Sequence, residues 1–119
     1  MTAHIKTFAA ILLGAMAFAA MPAGQRFALA ADDVEVAISI KDHKFDPAEV
    51  KVPAGKAIKL TVKNLDSTAE EFESKPLKVE KVIAGNATAV IRLKAQSKGS
   101  YKFFGEYHEK TAQGVLIVE

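Results

Sequence analysis

Apolar residues recur at every second position in short runs from Val34 to the end of the chain. In the clearest run, Ile58, Leu60 and Val62 alternate with lysine and threonine, as in a strand with one buried face. Turn-forming residues such as Pro53-Ala54-Gly55 separate the runs, and no stretch after residue 31 has sustained helical spacing. Short strands roughly ten residues apart predict an all-β fold, an antiparallel sandwich or barrel. The predicted strands cover residues 34–40, 50–52, 58–62, the region of Phe72, and residues 79–83, 87–93, 100–104 and 115–118.

Residues 1–30 have the pattern of a secretory signal peptide. Lys6 precedes an apolar run over residues 8–23, and Ala28-Leu29-Ala30 has the small-x-small pattern of a cleavage site. The run is shorter than the roughly 20 residues that a membrane-spanning helix needs, and no cysteine follows it for lipid attachment. We therefore predict an exported protein, with a signal peptide at residues 1–30 that is cleaved near Ala30 and one domain at residues 31–119.

The chain contains no cysteine, and its three methionines all lie within residues 1–30. The predicted domain therefore has no sulfur, which excludes disulfides, thiolate-bound zinc, iron–sulfur clusters and blue copper. Of the 16 basic residues, Lys6 and Arg26 belong to the predicted signal peptide, so that the domain has 14 basic and 14 acidic residues. This balance predicts no nucleic-acid partner. No serine has a Gly-x-Ser-x-Gly setting, and we do not predict an enzyme.

One candidate site is the loop predicted over residues 105–113, between an aromatic strand and a terminal aliphatic strand. It contains His108, with Glu106 and Glu109 on either side. Loops that join core strands at one end of a sandwich often carry binding residues. The simpler interpretation is an exposed loop histidine.

A second candidate is the acidic segment Glu70-Glu71-Phe72-Glu73. If it is extended, Glu71 and Glu73 project to one face and Phe72 to the other. Two carboxylates so close repel each other unless a cation lies between them or solvent screens them. A solvated edge strand would also explain the acidic residues.

His43 is the weakest candidate. It precedes Phe45, and the two share a face if the strand runs straight through both of them. Since Phe45 is expected to pack inward, His43 would be half-buried near one end of the sandwich. A capping or core histidine and a metal ligand are both consistent with that position.

The order of these motifs resembles a cupredoxin. The opening part is Phe45-Asp46-Pro47, then Val52-Pro53-Ala54-Gly55, then an aliphatic strand that ends at Asn64; the closing part is the aromatic segment 101–108 and the last strand, 114–118. The resemblance covers essentially all of the predicted domain and implies a Greek-key β-sandwich. Cupredoxins that carry blue copper bind it through two histidines, one cysteine and a weak axial ligand.

Compared with that ligand set, Gly105 stands where the cysteine would be, while His108 keeps the second histidine. Gln113 falls near the axial position, and Glu71 stands in place of the first histidine. The resemblance therefore implies a metal site without the thiolate that defines blue copper.

The sequence is also similar to cupredoxin-like proteins of bacterial periplasmic iron uptake, in which an acidic stretch and a Phe-Gly-Glu-Tyr-His loop are expected. Some of them carry a cysteine pair, which falls at Phe45 and Phe104 here. This similarity implies a periplasmic protein that binds copper or iron and supports metal uptake or ferrous-iron handling. Its partners would be the metal ion and a periplasmic or inner-membrane iron-uptake component. The implied metal ligands are His108, Glu71, Glu73, Glu106 and His43.

A different class of protein also fits the sequence. A β-sandwich that has kept the fold and lost the metal would serve as a metal-free protein-interaction module. Stoichiometric metal binding distinguishes the two hypotheses.

Overall fold

The structure of the protein, a computed structural model, describes residues 33–119. Within this range the chain forms nine strands and one short 3₁₀ turn, and no helix is long and apolar enough to cross a membrane. The predicted signal peptide, residues 1–30, lies outside the described residues. The strands are β1 (Val34–Lys41), β2 (Lys44–Asp46), β3 (Glu49–Val52), β4 (Ile58–Asn64), β5 (Glu70–Ser74), β6 (Val79–Ile83), β7 (Thr88–Leu93), β8 (Gly99–Gly105) and β9 (Gln113–Val118), and the 3₁₀ turn is Glu106–His108.

The nine strands form two sheets that enclose a shared core. One sheet has the order β2-β1-β4-β7 and the other β3-β9-β8-β5-β6. The pairs β1–β4 and β3–β9 are parallel and the remaining pairs are antiparallel. The chain changes sheet after β2, β3, β4, β6 and β7, as in a Greek-key sandwich. The predicted all-β sandwich is confirmed.

The alternation seen in the sequence produces the core. Ile58, Leu60 and Val62 on β4 are at most 4% exposed, since every second side chain points between the sheets. Three rings complete the centre: Phe72 and Phe103 stack at 4.9 Å between centroids, and Phe45 meets both edge-on. Because Phe72 is fixed in this cluster, its neighbours on β5, Glu71 and Glu73, must point to the opposite face of the sheet.

The structure departs from the sequence prediction between β1 and β2. Asp42 and His43 adopt positive φ angles of 52° and 58°, so that the chain reverses and β2 pairs back onto β1, with Ile40 opposite Phe45. The strand therefore does not run straight from His43 to Phe45, although Phe45 is buried as expected. Aspartate and histidine are among the residues that tolerate this backbone region. Strand β2 was not predicted, because its three residues are too few to show alternation.

The acidic segment forms an interior strand. β5 lies between β8 and β6, so the interpretation of this segment as an edge strand is wrong. Phe72 pairs with Gly105 and Glu73 with Phe104. This register places the beginning of β5 next to the loop that follows β8, where His108 lies.

Candidate metal centre

A buried carboxylate of β5 holds the loop histidine. Glu70 is only 2% exposed, and its Oε2 lies 2.6 Å from Nδ1 of His108. Its Oε1 accepts hydrogen bonds from the backbone N–H groups of Glu71 and Tyr107, each at 2.9 Å. Because an ionised carboxylate only accepts hydrogen bonds, this contact places the His108 ring proton on Nδ1 and leaves the Nε2 lone pair for a ligand.

A glycine makes room for this carboxylate. A Cβ atom on Gly105 would lie 2.7 Å from Cδ of Glu70 and 2.6 Å from Cβ of Ala112. Contacts below 3.0 Å force their surroundings to move. Gly105 is therefore required for Glu70 and His108 to approach each other as they do.

Backbone hydrogen bonds of the loop fix the position of the His108 backbone, from which its side chain extends. The carbonyl of His108 accepts hydrogen bonds from the N–H groups of Thr111 (3.1 Å) and Ala112 (2.8 Å), and Gly105 N–H donates to the carbonyl of Ala112 at 2.9 Å. Ala112 is completely buried. Together these bonds attach the loop to the core on both sides of His108.

A second imidazole lies flat against the first. The rings of His43 and His108 are 3.6 Å apart between centroids, with an interplanar angle of 11°. The Asp66 carboxylate holds the turn that carries His43, because it accepts the backbone N–H groups of Asp42 (2.8 Å) and His43 (3.0 Å). The nearest Asp66 oxygen is also 3.5 Å from Nδ1 of His43. These two backbone hydrogen bonds, with that of His43 the larger cause, lower the pKa of Asp66.

Asp66 is positioned in turn by Asn64, the last residue of β4. Asn64 is completely buried, and its Oδ1 accepts the backbone N–H of Asp66 at 3.0 Å. Its Nδ2 donates to the carbonyls of Thr68 (2.9 Å) and Ile83 (3.1 Å). A continuous series of hydrogen bonds thus connects the core to the His43 turn.

The three remaining predicted ligands form a separate cluster. Oxygens of Glu71, Glu73 and Glu106 lie within 4.8 Å of one another, on the outer face of the sheet. Glu71 is nevertheless only 8% exposed, and Glu80 lies opposite Glu73 on β6. None of the ion pairs formed within residues 33–119 includes these carboxylates.

Their crowding changes their acidity. A hydrogen bond from Glu71 to Glu106, followed by desolvation, raises the pKa of Glu71 from 4.5 to about 7. The same neighbour raises the pKa of Glu73, and the two hydrogen bonds lower the pKa of Glu106, which accepts them. The cluster therefore retains a proton that a bound cation would replace.

The structure thus divides the predicted ligands between the two faces of β5. His43 and His108 lie together with Glu70, and an atom of each residue that can bind metal lies within 4.8 Å of the others. Glu71 and Glu73 lie on the opposite face with Glu106. Glu70 was not predicted from the sequence as part of the site. The available signal was alternation along β5, which places Glu70 on the same inward face as Phe72.

The predicted axial residue, Gln113, is turned toward the loop backbone. It is exposed, and its Nε2 donates to the carbonyl of Glu109 at 2.6 Å.

The chemistry of the two clusters fits divalent metals. Imidazole nitrogen with carboxylate oxygen is a borderline donor set that suits Cu(II), whereas three carboxylates form a harder set that suits Fe(II) or Mn(II). The His108–Glu70 contact is also the arrangement by which a carboxylate commonly orients a metal-binding histidine.

Comparison with known proteins agrees with the fold. The family model described as "Cupredoxin-like domain" matches residues 9–118. The chain is 46% identical over 85 residues to an uncharacterized protein of Rickettsia prowazekii (strain Madrid E), covering 71% of this chain and 68% of that protein.

Solved structures show the same fold at low sequence identity. Auracyanin A, a "blue" copper protein from Chloroflexus aurantiacus, is 18% identical, with a TM-score of 0.63 over 73% of this chain and 99% of that one. The metal-binding domain of the Cu(I)-exporting P-type ATPase of Streptococcus pneumoniae D39, with Cu(I), is 18% identical, with a TM-score of 0.61 over 71% and 84%. A chain from a heme-copper terminal oxidase is 18% identical, with a TM-score of 0.62 over 73% of this chain. The present chain spans only 65% of the length of that oxidase chain. On the family match and the Rickettsia relative, the chain belongs to the cupredoxin-like domain family.

Proposed function

We propose that this protein is a periplasmic metal-binding protein that holds copper through the imidazole of His108, which the Glu70 carboxylate orients, without a thiolate. The observation that carries the proposal is the 2.6 Å contact between the buried Glu70 and His108. It leaves one nitrogen of an ordered, part-exposed imidazole free for a metal. Nitrogen and oxygen donors of this kind bind Cu(II) most tightly among the first-row divalent ions.

The acidic cluster supports the second half of the proposal, the handling of iron. Glu71, Glu73 and Glu106 offer only anionic oxygens, a hard donor set that suits Mn(II) and that would also accept the borderline ion Fe(II). A divalent ion would relieve the repulsion among them and displace their shared proton. The two clusters would then accept different metals on opposite faces of one strand.

Export and partnership complete the proposed role. The signal peptide predicted at residues 1–30 would deliver the domain to the periplasm. There it would support metal uptake or ferrous-iron handling beside a membrane transporter, as a binding protein and not as an enzyme. The same fold in a metal-binding domain of a Cu(I)-exporting ATPase supports the idea of metal exchange next to a membrane protein.

Crossed titrations test the proposal. Protein produced from the full-length chain is titrated calorimetrically with Cu(II) and with Mn(II), the latter as an air-stable substitute for Fe(II). We expect His108→Ala to lose Cu(II) binding and keep Mn(II) binding, and Glu71→Ala to show the reverse pattern. Glu109→Ala is the matched control, because Glu109 is an exposed loop carboxylate outside both clusters.

Two results would contradict the proposal. A wild-type protein without stoichiometric binding of either metal would point to the metal-free interaction module. Binding of both metals that survives in the double variant Glu71→Ala/His108→Ala would move the site elsewhere.

A further inference from the structure

We infer that His43 is a positioning residue: its ring stacks on His108 and fixes the plane of that ring, and it does not bind the same metal ion. Asp66 holds His43 in this role. The inference rests on the proposed function, because it concerns how His108 is oriented toward copper. His43, predicted from the sequence as a metal ligand, is thereby given a different role.

The geometry of the stack argues against two ligands for one ion. A ring nitrogen directs its lone pair within the plane of its ring, and metal–nitrogen bonds are about 2.0–2.1 Å long. The planes of His43 and His108 are separated by a stacking distance, with centroids 3.6 Å apart and a tilt of only 11°. The two lone pairs therefore lie in nearly parallel, separated planes, and an ion in the plane of one ring lies too far out of the plane of the other.

The stack supplies a constraint that the Glu70 contact lacks. A single contact between Oε2 of Glu70 and Nδ1 of His108 restrains one distance, and a combined rotation about the two side-chain torsions of His108 would preserve that distance. A flat group against the ring face prevents that rotation. The two neighbours together fix both the direction and the plane of the free Nε2.

The way in which His43 is held agrees with this role. Its backbone has a left-handed conformation, with φ of 58°, which a residue other than glycine adopts only when its surroundings require it. Asp66 supplies that requirement through the N–H groups of Asp42 and His43. The buried Asn64 supports Asp66, so the position of the His43 ring is determined from the core.

A pair of substitutions separates positioning from ligation. His43→Phe keeps a flat ring and removes both nitrogens, whereas His43→Asn removes the ring and retains a residue that tolerates the left-handed backbone. We expect Cu(II) affinity within about threefold of wild type for His43→Phe. For His43→Asn we expect a loss of about 10- to 100-fold, the usual effect of removing a group that orients a ligand. Lys44→Ala, at an exposed neighbouring position, is the control.

Asp66→Asn provides a second measurement on the same series of contacts. It preserves the shape of the side chain but replaces one carboxylate oxygen with an NH2 group, so that only one of the two backbone N–H groups keeps its acceptor. We expect a smaller loss of Cu(II) affinity than in His43→Asn. The double variant Asp66→Asn/His43→Asn should lose no more affinity than His43→Asn alone, since both changes act through one ring.

Spectroscopy gives a readout that a merely structural role would not change. Pulsed electron paramagnetic resonance of the Cu(II) protein counts coordinated imidazoles through their remote nitrogens, and we expect the same count in wild type and His43→Phe. Proton NMR of the metal-free wild type is expected to show nuclear Overhauser effects between the two histidine rings, which requires no variant to fold.

The outcomes are distinct. If wild type binds Cu(II) and His43→Phe loses as much affinity as His43→Asn, or loses one imidazole from the count, His43 is a ligand and the inference is wrong while the proposed function stands. Absence of the inter-ring effects also overturns it. A wild-type protein that binds no Cu(II) overturns the proposed function and this inference with it.

Discussion

The two faces of β5 carry the same side chain in opposite surroundings. Glu70, on the inner face, receives two backbone N–H groups and contacts His108. Glu71, the next residue, is also buried but meets the carboxylates of Glu73 and Glu106. The comparison shows that burial alone does not define the role of a carboxylate. Glu70 is surrounded by hydrogen-bond donors that satisfy its carboxylate. Glu71 is surrounded by other carboxylates, so that a proton or a cation is required to relieve the repulsion between them.

The largest effect is expected for Glu70→Ala. The change removes the acceptor of two backbone N–H groups and the partner of His108, and each polar group left unsatisfied in a buried position costs about 1–3 kcal/mol. We expect the free energy of unfolding to fall by about 2–6 kcal/mol, from two such groups, with loss of Cu(II) binding. Urea denaturation and calorimetry measure these effects.

The matched change on the outer face is Glu71→Ala. It should leave Cu(II) binding intact. Above about pH 7, where Glu71 is ionised, it should not lower the stability of the metal-free protein, because it removes a repelling group. Equal destabilisation by the two substitutions would remove the distinction between the two faces.

An intermediate effect is expected for Gly105→Ala, which disturbs only the inner face. The added methyl group would meet Glu70 and Ala112 at distances below 3.0 Å, and overpacking of this kind typically costs about 1–3 kcal/mol. We expect weaker Cu(II) binding with unchanged Mn(II) binding. Gly55→Ala is the control: Gly55 has a positive φ but open space around it, so that the substitution strains the backbone without reaching either cluster. Cu(II) affinity that falls equally in both variants would contradict this explanation.

The smallest effect is expected for the pH dependence of stability that arises from Glu71 on the outer face of β5. The pKa of Glu71 is about 7 in the folded protein, above the ordinary 4.5, so the folded state binds more protons than the unfolded state between these values. The contribution of Glu71 to the stability of the metal-free protein therefore falls as pH rises from about 4.5 to 7. Glu71→Gln should reduce this dependence, as measured by urea midpoints at several pH values, whereas Glu49→Gln, at an exposed position on β3, should not. An unchanged slope in Glu71→Gln would show that another group titrates.

The sequence predicted the strands well because alternation is a local property. The prediction gave β6 its observed bounds and gave β4 its first five residues, and Phe72 was correctly placed opposite Glu71 and Glu73. Strand β2 escaped prediction because three residues hold no recognisable period.

The candidate site was harder to predict, since it depends on contacts between distant segments. The interior position of β5 follows from its pairing with β8, which no local pattern reveals. The stack of His43 on His108 requires the left-handed turn at Asp42 and His43. Glu70 and Glu71 differ by one position in a strand, and that single step decides which face each occupies.

The central claim is that copper binds through His108 with nitrogen and oxygen ligands. X-ray absorption at the copper edge tests it most directly, with wild type and His108→Ala compared after each protein has received one equivalent of Cu(II). We predict a first shell of nitrogen and oxygen with the outer-shell scattering of coordinated imidazole, and loss of the imidazole scattering in His108→Ala. Imidazole scattering that persists unchanged in the variant would contradict the assignment of His108.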